Sequence, residues 1–196
     1  MNGDMLLQRV IDGDHEAFSA LYRAYVDKLY SYGLSLGFNE NNCLDAIQDV
    51  FCKIYTHRNE LAHVQNISFY LFRSLKNRLI DINKKNKTEY LNPDYETIFH
   101  SDISIIETII DKEEGILLQQ KVKSLLLNLT NNQREAVYLR YMQEMDYDEI
   151  AELLNINSES VRKLVYRAIL KMREQTGLGT GLVLLLLKNY YNEVLK

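Results

Sequence analysis

The first half of the chain places apolar residues three and four positions apart, which is the periodicity of amphipathic helices. After a short apolar run near the N-terminus, the pattern restarts behind Asp14, a side chain suited to cap a helix. Further helices are predicted over about 43–57 and 67–83, separated by a loop at about 57–65. The 67–83 helix is expected to bury its apolar face, comprising Phe69, Leu71, Phe72, Leu75, Leu79 and Ile82. Together these segments predict a first helical domain at residues 5–83.

The second half of the chain predicts another group of helices, within residues 116–174. Three of them follow one another closely, at 131–143, 147–154 and 158–173. Thr130 and Ser158 are expected to cap the first and the third of these helices. Only a three-residue turn, 155–157, separates the last two, and this spacing is typical of a helix-turn-helix.

Two segments of different character flank the second group of helices. Residues 84–115 contain Pro93, the only proline of the chain, and after their first three lysines they are clearly acidic, so they predict a linker. Residues 175–196 form a leucine-rich tail. Its apolar stretch of about ten residues is half the length that a membrane-spanning helix requires.

Composition narrows the class of protein further. Eight glycines and one proline among 196 residues are too few for a collagenous or turn-dense all-β chain. The fold class is therefore predicted to be all-α, with two small helical domains joined by an acidic linker, the C-terminal one a helix-turn-helix. Cys43 and Cys52 cannot form a disulfide scaffold and are interpreted as buried thiols of a cytoplasmic protein. The N-terminus lacks the apolar core of a signal peptide.

The net charge of −4 means that binding to nucleic acid would depend on local basic surfaces. Residues 158–173 hold five Lys or Arg and one acid, and their apolar positions lie on the face opposite Lys163, Tyr166 and Arg167. A helix of this kind lies in the DNA major groove with its N-terminal residues at the base edges. The residues expected near bases are Ser160, Arg162 and Lys163, and those expected near phosphates are Arg167 and Lys171.

A second basic segment, near residue 76, lies beside aromatic residues, a combination that suits single-stranded DNA. Its cations are Arg73, Lys76, Arg78, Lys84, Lys85 and Lys87, and its aromatics are Phe69, Tyr70 and Phe72. Phe69 and Phe72 also fit a purely structural role in the core.

Three motifs in this order carry a family resemblance: 45–51 (DAIQDVF), 69–81 (FYLFRSLKNRLID) and 160–168 (SVRKLVYRA). The chain resembles an extracytoplasmic-function (ECF) sigma factor of bacterial RNA polymerase over about 5–83 and 115–174. The resemblance implies a protein that binds core RNA polymerase, directs it to promoters and helps to melt the DNA. It also implies an anti-sigma factor as a partner.

The resemblance assigns roles to particular positions. Polymerase binding falls on Asp45, Gln48 and Asp49, for which a solvated helix face is the lesser alternative. Recognition of the minus-ten element falls on Tyr70, Arg73, Lys76, Asn77, Arg78 and Lys84, while Asp81 is expected to act as a cap or to pair with Arg78 or Lys85. Recognition of the minus-thirty-five element falls on Ser158, Ser160, Arg162, Lys163, Tyr166 and Arg167.

The chain departs from the family pattern at three places. Tyr70 stands where a tryptophan is frequent, and Leu164 stands where many relatives have a basic residue. The tail from Gly177 onward lies outside the shared core, and it either packs on the C-terminal domain, binds a partner or forms a loose end.

Other classes of function remain to be weighed against this interpretation. The four histidines are scattered, no Cys/His spacing matches a zinc site, and no phosphate loop or nucleophile elbow is present, so neither catalysis nor a cofactor is expected. A dimeric helix-turn-helix regulator that binds operators would leave the 45–51 motif and the second basic segment unexplained. A helical adaptor would leave the one-sided cationic helix unexplained.

Overall fold

The computed structural model describes the backbone of residues 3–86 and 122–194, and every element in these two ranges is helical. The chain divides into two compact units, Met1–Glu96 and Thr97–Lys196. The prediction of an all-α, two-domain protein is confirmed. Nearly all of the predicted acidic linker, residues 84–115, lies outside the described residues.

The first unit contains four α-helices and a short 3-10 helix. They are α1 (Gly3–Ile11), α2 (His15–Ser35), α3 (Glu40–Thr56), the 3-10 helix Arg58–His63 and α4 (Ile67–Asn86). Asp14 caps α2 as predicted, because its carboxylate accepts hydrogen bonds from the amides of residues 16 and 17. Helix α3 begins three residues earlier than expected, because the Asn39 side chain caps it by accepting from the Asn42 amide at 2.8 Å.

The core of the first unit lies where α2, α3 and α4 pack together. The Phe72 ring is completely buried and lies 4.9 Å from the Tyr32 ring, centroid to centroid. Phe69 and Ile82 are only half-buried, contrary to the expectation that both belong to the core. The apolar face predicted for α4 is therefore buried at Leu71, Phe72, Leu75 and Leu79, but it does not extend fully to Phe69 and Ile82.

Two side chains hold the start of α4. The local one is Asn66, which accepts from the Phe69 amide at 3.1 Å, and the other comes from a distant part of the chain. The backbone amide of Ile67 donates to the carboxylate of Asp4, on α1, at 2.9 Å. Because a helix N-terminus has amides without intrahelical partners and a partial positive charge, this carboxylate stabilises it. The sequence indicates no such cap, since 63 positions separate the two residues.

The second unit contains a helical stretch at 122–127 followed by four helices. These are α5 (Asn131–Tyr141), α6 (Tyr147–Leu154), α7 (Ser158–Thr176) and α8 (Thr180–Val194). Thr130 caps α5 as predicted, with Gln133 completing a capping box. The cap of α7 is Asn157 and not Ser158, because the Asn157 side chain accepts from the Ser160 amide at 2.7 Å.

The C-terminal tail forms helix α8, which packs against α7. It buries Val183, Leu187 and Tyr190, while Leu182 and Leu185 remain about half exposed, at 54% and 53%. One face of the tail therefore belongs to the second domain. No helix in the described ranges is long and apolar enough to span a membrane.

The two cysteines occupy different environments, which corrects the expectation that both are buried. Cys43 is fully buried beside Gly33, whereas Cys52 is exposed on α3. Burial raises the pKa of the Cys43 thiol to about 12, with the nearby Glu40 carboxylate adding to the shift.

We expect a thiol-specific reagent at neutral pH to modify one cysteine rapidly in the native protein and both after denaturation. The thiolate is the reactive form, and Cys43 is both shielded and protonated at this pH. The rapid phase should disappear in Cys52→Ser and persist in Cys43→Ser, as followed by absorbance of the released chromophore. A rapid phase that survives in Cys52→Ser would contradict the burial of Cys43.

Candidate nucleic-acid interface

Helix α3 carries three polar residues on one exposed side. Asp45, Gln48 and Asp49 are spaced by three and four positions, so they neighbour one another on the helix surface. The intervening Ala46 and Ile47 are buried in the core. This geometry gives α3 an acidic face, made of two carboxylates and one amide, that a basic surface could bind.

An apolar groove of about 550 Å³ lies between α2 and α3 and borders the acidic face at Gln48. Its wall is a cluster of aromatic rings, in which Tyr22 and Phe51 lie 4.8 Å apart and Phe18 and Tyr55 lie 5.2 Å apart. Tyr22 and Tyr55 are both partly exposed at the rim. The spacing of apolar residues along α2 does not indicate that Tyr22 stays open to solvent.

Helix α4 presents an exposed stripe of polar residues on the side away from its core face. Arg73, Asn77 and Lys84 are exposed along it, with Asp81 between the last two. The guanidinium carbon of Arg73 lies 5.8 Å from the centroid of the half-buried Phe69 ring. Tyr70 is half-buried beside this stripe. Cations and aromatic surface therefore occur together, as the sequence predicts.

Lys76 does not belong to this stripe. Only 8% of its surface is exposed, because it lies on the side of α4 that carries Phe72 and Leu79. This burial was not expected, because lysine is seldom buried. The assignment of Lys76 to the minus-ten surface stays a prediction, with less of its surface exposed than that of Arg73 or Lys84.

An ion pair joins the two candidate surfaces of the first domain. Asp49 accepts from both Nε and Nη2 of Arg78, each at 2.6 Å, so the pair connects α3 to α4. Both side chains remain partly exposed, and a pair of this kind contributes about 0–1 kcal/mol to stability. The partner of Arg78 is thus Asp49, and not the Asp81 that the sequence had suggested as one alternative.

The Asp49–Arg78 pair lies at the edge of a second groove, between α3 and α4. This groove has a volume of about 420 Å³, and Tyr70, Asn77 and Asp81 contribute to its lining. Three residues assigned to DNA by the sequence, Tyr70, Asn77 and Arg78, therefore meet at one concave surface together with a residue assigned to polymerase.

Helix α7 of the second domain has the two faces that the sequence predicts. All five core positions are buried, namely Val161, Val165, Ala168, Ile169 and Met172. The opposite side exposes Arg162, Lys163, Tyr166 and Arg167, with Tyr166 68% exposed. One of these cations, Lys163, forms an ion pair of 2.7 Å with Glu159 one turn earlier.

Two residues near the helix-turn-helix turn have structural partners. The Ser158 hydroxyl donates to the carboxylate of Asp148 on α6, so Ser158 links the two helices. The Ser160 amide is held by the Asn157 cap. Among the predicted phosphate contacts, Lys171 donates from Nζ to the backbone oxygen of Asn128 at 2.5 Å.

The sequence analysis missed Tyr147, the first residue of α6. The guanidinium carbons of Arg140 and Arg162 lie 4.7 Å and 5.2 Å from the centroid of its ring. A tyrosine at the start of a helix gives no such signal, because the contacts come from α5 and α7. Across the two described ranges, no three His, Cys, Asp or Glu side chains form a group that could hold a metal ion.

Two family models match this chain. Residues 21–89 match the Sigma-70 region 2 family model, and residues 119–172 match the Sigma-70, region 4 model. The ECF RNA polymerase sigma factor SigW of Bacillus subtilis is 26% identical over 179 residues, which cover 86% of this chain and 94% of SigW. SigM of the same organism is 26% identical over 152 residues, covering 76% of this chain and 88% of SigM.

Among solved structures, the fold is similar to that of RpoE in its complex with the anti-sigma factor NepR from Bartonella quintana. That match has a TM-score of 0.52 at 20% identity and covers 80% of this chain and 94% of RpoE.

Two helical domains matching regions 2 and 4 in this order define the sigma-70 class of transcription initiation factor. Within that class, the chain belongs to the ECF sigma factor family.

Proposed function

We propose that this chain acts in the cytoplasm as the promoter-specificity subunit of RNA polymerase, by binding and not by catalysis. Residues 5–83 would bind the core enzyme and the minus-ten element, and residues 116–174 would read the minus-thirty-five element. Residues 84–115 would connect them as an acidic linker, and residues 175–196 would form the tail. The observation that carries the proposal is the presence of two separate cationic helix faces, on α4 and α7, in a protein of net charge −4.

The acidic face of α3 supports the proposed contact with the core enzyme. Complementary charge steers two proteins together, and a basic helical surface would meet Asp45, Gln48 and Asp49 on one side of α3. The adjoining aromatic groove offers apolar contact area, which an ion pair at a protein surface does not supply by itself.

The exposed stripe of α4 supports the proposed contact with melted minus-ten DNA. Arg73 and Lys84 can follow the phosphates, while Tyr70 and the groove beside it offer an aromatic surface for an unstacked base. Asn77 provides an amide that can donate and accept at a base edge. The part that Lys76 would take in this contact stays a prediction, because only 8% of its surface is exposed.

The exposed side of α7 supports the proposed contact with duplex minus-thirty-five DNA. In a helix-turn-helix the second helix lies in the major groove, so Ser160, Arg162 and Lys163 would face bases. Arg167 and Tyr166, farther along the helix, would lie nearer the phosphate backbone. Ser158 would act mainly as the link to Asp148.

An anti-sigma factor is the proposed regulatory partner. The structurally similar RpoE is described in complex with the anti-sigma factor NepR, and a second similar structure, CnrH, is described in complex with the cytosolic domain of CnrY. A partner of this kind would hold the protein inactive by covering the surfaces that polymerase and DNA need.

The test is run-off transcription from a fragmented genomic library with core RNA polymerase, with and without this protein. New discrete transcripts that share two upstream sequence elements are expected only when the protein is present. Stable binding to duplex DNA by the protein alone would favour the alternative of a dimeric operator-binding regulator. Failure to bind core polymerase would contradict the proposal.

A further inference from the structure

Tyr147 stands between two arginines of the second domain. Arg140, the penultimate residue of α5, and Arg162, in the second turn of α7, both place their guanidinium groups over its ring, at 4.7 Å and 5.2 Å. Each distance lies within the range of about 6 Å at which a cation is attracted to an aromatic face. Three successive helices of the domain are therefore connected through one aromatic ring.

Hydrogen bonds hold the residues on both sides of this ring. Arg140 donates from Nη1 to the backbone oxygen of Met145 at 2.7 Å, and Met145 is fully buried. The backbone of Tyr147 is held at the start of α6 by the Asp146 capping box, in which Asp146 and Glu149 bind each other's amides. Because α6 is fixed at this end, the ring has a defined position relative to α7.

Arg162 is the exposed member of the group. It lies on the side of α7 that also carries Lys163 and Tyr166, near the end of the helix that enters a groove in this type of domain. A free arginine side chain loses conformational entropy when it is fixed. An arginine already held against a ring loses less of that entropy on binding DNA.

We propose that Tyr147 is a positioning residue, which holds Arg162 in the orientation from which it reads a base of the minus-thirty-five element. This proposal rests on the proposed promoter-binding function of the second domain. It assigns the specificity of one base position jointly to a residue on α7 and a residue on the preceding helix. In this proposal Arg140 helps to hold the Tyr147 ring in place, because its guanidinium group also lies over that ring.

The proposal predicts different results for two substitutions of Tyr147. Tyr147→Phe retains the ring and should retain promoter activity, whereas Tyr147→Leu retains apolar bulk but removes the aromatic face. Because the contact is present before DNA binds, its removal cannot cost binding more than the contact itself contributes, so Tyr147→Leu should weaken promoter binding by up to about five-fold. The loss should fall on one base position, because the other contacts of α7 are unchanged.

The experiment measures open-complex formation by the reconstituted holoenzyme on promoters recovered by run-off transcription, with each base of the upstream element varied in turn. Tyr147→Leu should reduce discrimination at the same position as Arg162→Ala, and it should have no further effect in the Arg162→Ala background. The salt dependence should stay unchanged in Tyr147→Leu. Arg167→Ala, the control, should lower the salt slope by about one and act equally on all sequences.

The other outcomes distinguish this proposal from the function on which it rests. Equal losses in Tyr147→Leu and Tyr147→Phe, or a full Tyr147→Leu effect in the Arg162→Ala background, would overturn the positioning role and leave promoter recognition intact. Thermal melting followed by circular dichroism identifies a variant that merely unfolds. If Tyr147→Leu unfolds, Arg140→Leu takes its place, because it alters the support of the same ring from α5. Absence of transcription with the wild-type chain would overturn both.

Discussion

Replacing Asp45 with lysine is expected to weaken binding to core RNA polymerase about a hundred-fold. Asp45 lies at the exposed acidic face of α3, where its carboxylate would meet a basic surface of the partner. Reversal replaces an attraction by a repulsion, and like charges facing each other across an interface cost several kcal/mol. A hundred-fold change corresponds to about 2.7 kcal/mol. Binding is measured by fluorescence anisotropy of the labelled chain titrated with core enzyme.

The controls for this prediction separate local charge from net charge. Asp45→Asn removes the attraction without adding repulsion, so a smaller loss of about ten-fold or less is expected. Asp12→Lys makes the same change in net charge at an exposed position after α1, and it should leave the affinity almost unaltered. Equal affinity of Asp45→Lys and Asp12→Lys would show that the acidic face of α3 is an ordinary solvated surface.

Asp49 is a less informative target than Asp45, although it belongs to the same face. Its carboxylate also holds Arg78 of α4, so its replacement releases a cation that faces the proposed DNA surface. An effect of Asp49→Asn on transcription would therefore combine a change at α3 with a change at α4. Asp45 forms no such link among the described contacts, and its variants test the acidic face alone.

Truncation of Phe72 to alanine is expected to destabilise the first domain by about 3–5 kcal/mol. Its ring is completely buried, and it packs against Tyr32 of α2 from its place on α4. Removing such a ring loses the transfer free energy of its atoms and leaves a cavity that neighbouring helices fill only in part. Because the free energy of unfolding of a domain is only about 5–15 kcal/mol, the first domain would lose a large part of it.

This prediction is measured by native-state amide hydrogen exchange, which reports on the two domains separately. Exchange in α4 should accelerate about a hundred-fold or more, while the core amides of α7 keep their protection. Phe69→Ala is the matched control, since Phe69 is only half-buried and lies beneath Arg73 on the same helix. An equal effect of the two substitutions would contradict the assignment of Phe72 to the core and Phe69 to its edge.

Much of the local structure could be predicted from the order of apolar and polar residues. The two faces of α7, the Thr130 cap and the helix-turn-helix turn all follow from spacing along one helix or one turn. The incorrect predictions concern residues at the ends of these helices and at the borders of their buried faces. Asn157 and Ser158 are adjacent and chemically similar caps, so only the geometry showed that the asparagine accepts the bond.

Some features of the proposed interfaces follow from spacing along one helix, and others depend on how the helices pack. Asp45, Gln48 and Asp49 share a face because of their spacing, and Arg73, Asn77 and Lys84 share another for the same reason. The open aromatic groove beside Gln48 could not be predicted, because it depends on how α2 and α3 pack against each other. The burial of Lys76 likewise depends on which part of α4 meets the other helices.

The sequence by itself determined the helical class, the two domains and the inward face of α7, because a repeat of 3.6 residues fixes which side chains share a side. Only the tertiary structure decided which polar groups meet between helices, as with Asp4 and Ile67, Asp49 and Arg78, and Arg162 and Tyr147. Such pairs depend on the crossing angle and relative shift of packed helices. Those quantities arise when whole side-chain surfaces interlock, and no spacing along a single helix encodes them.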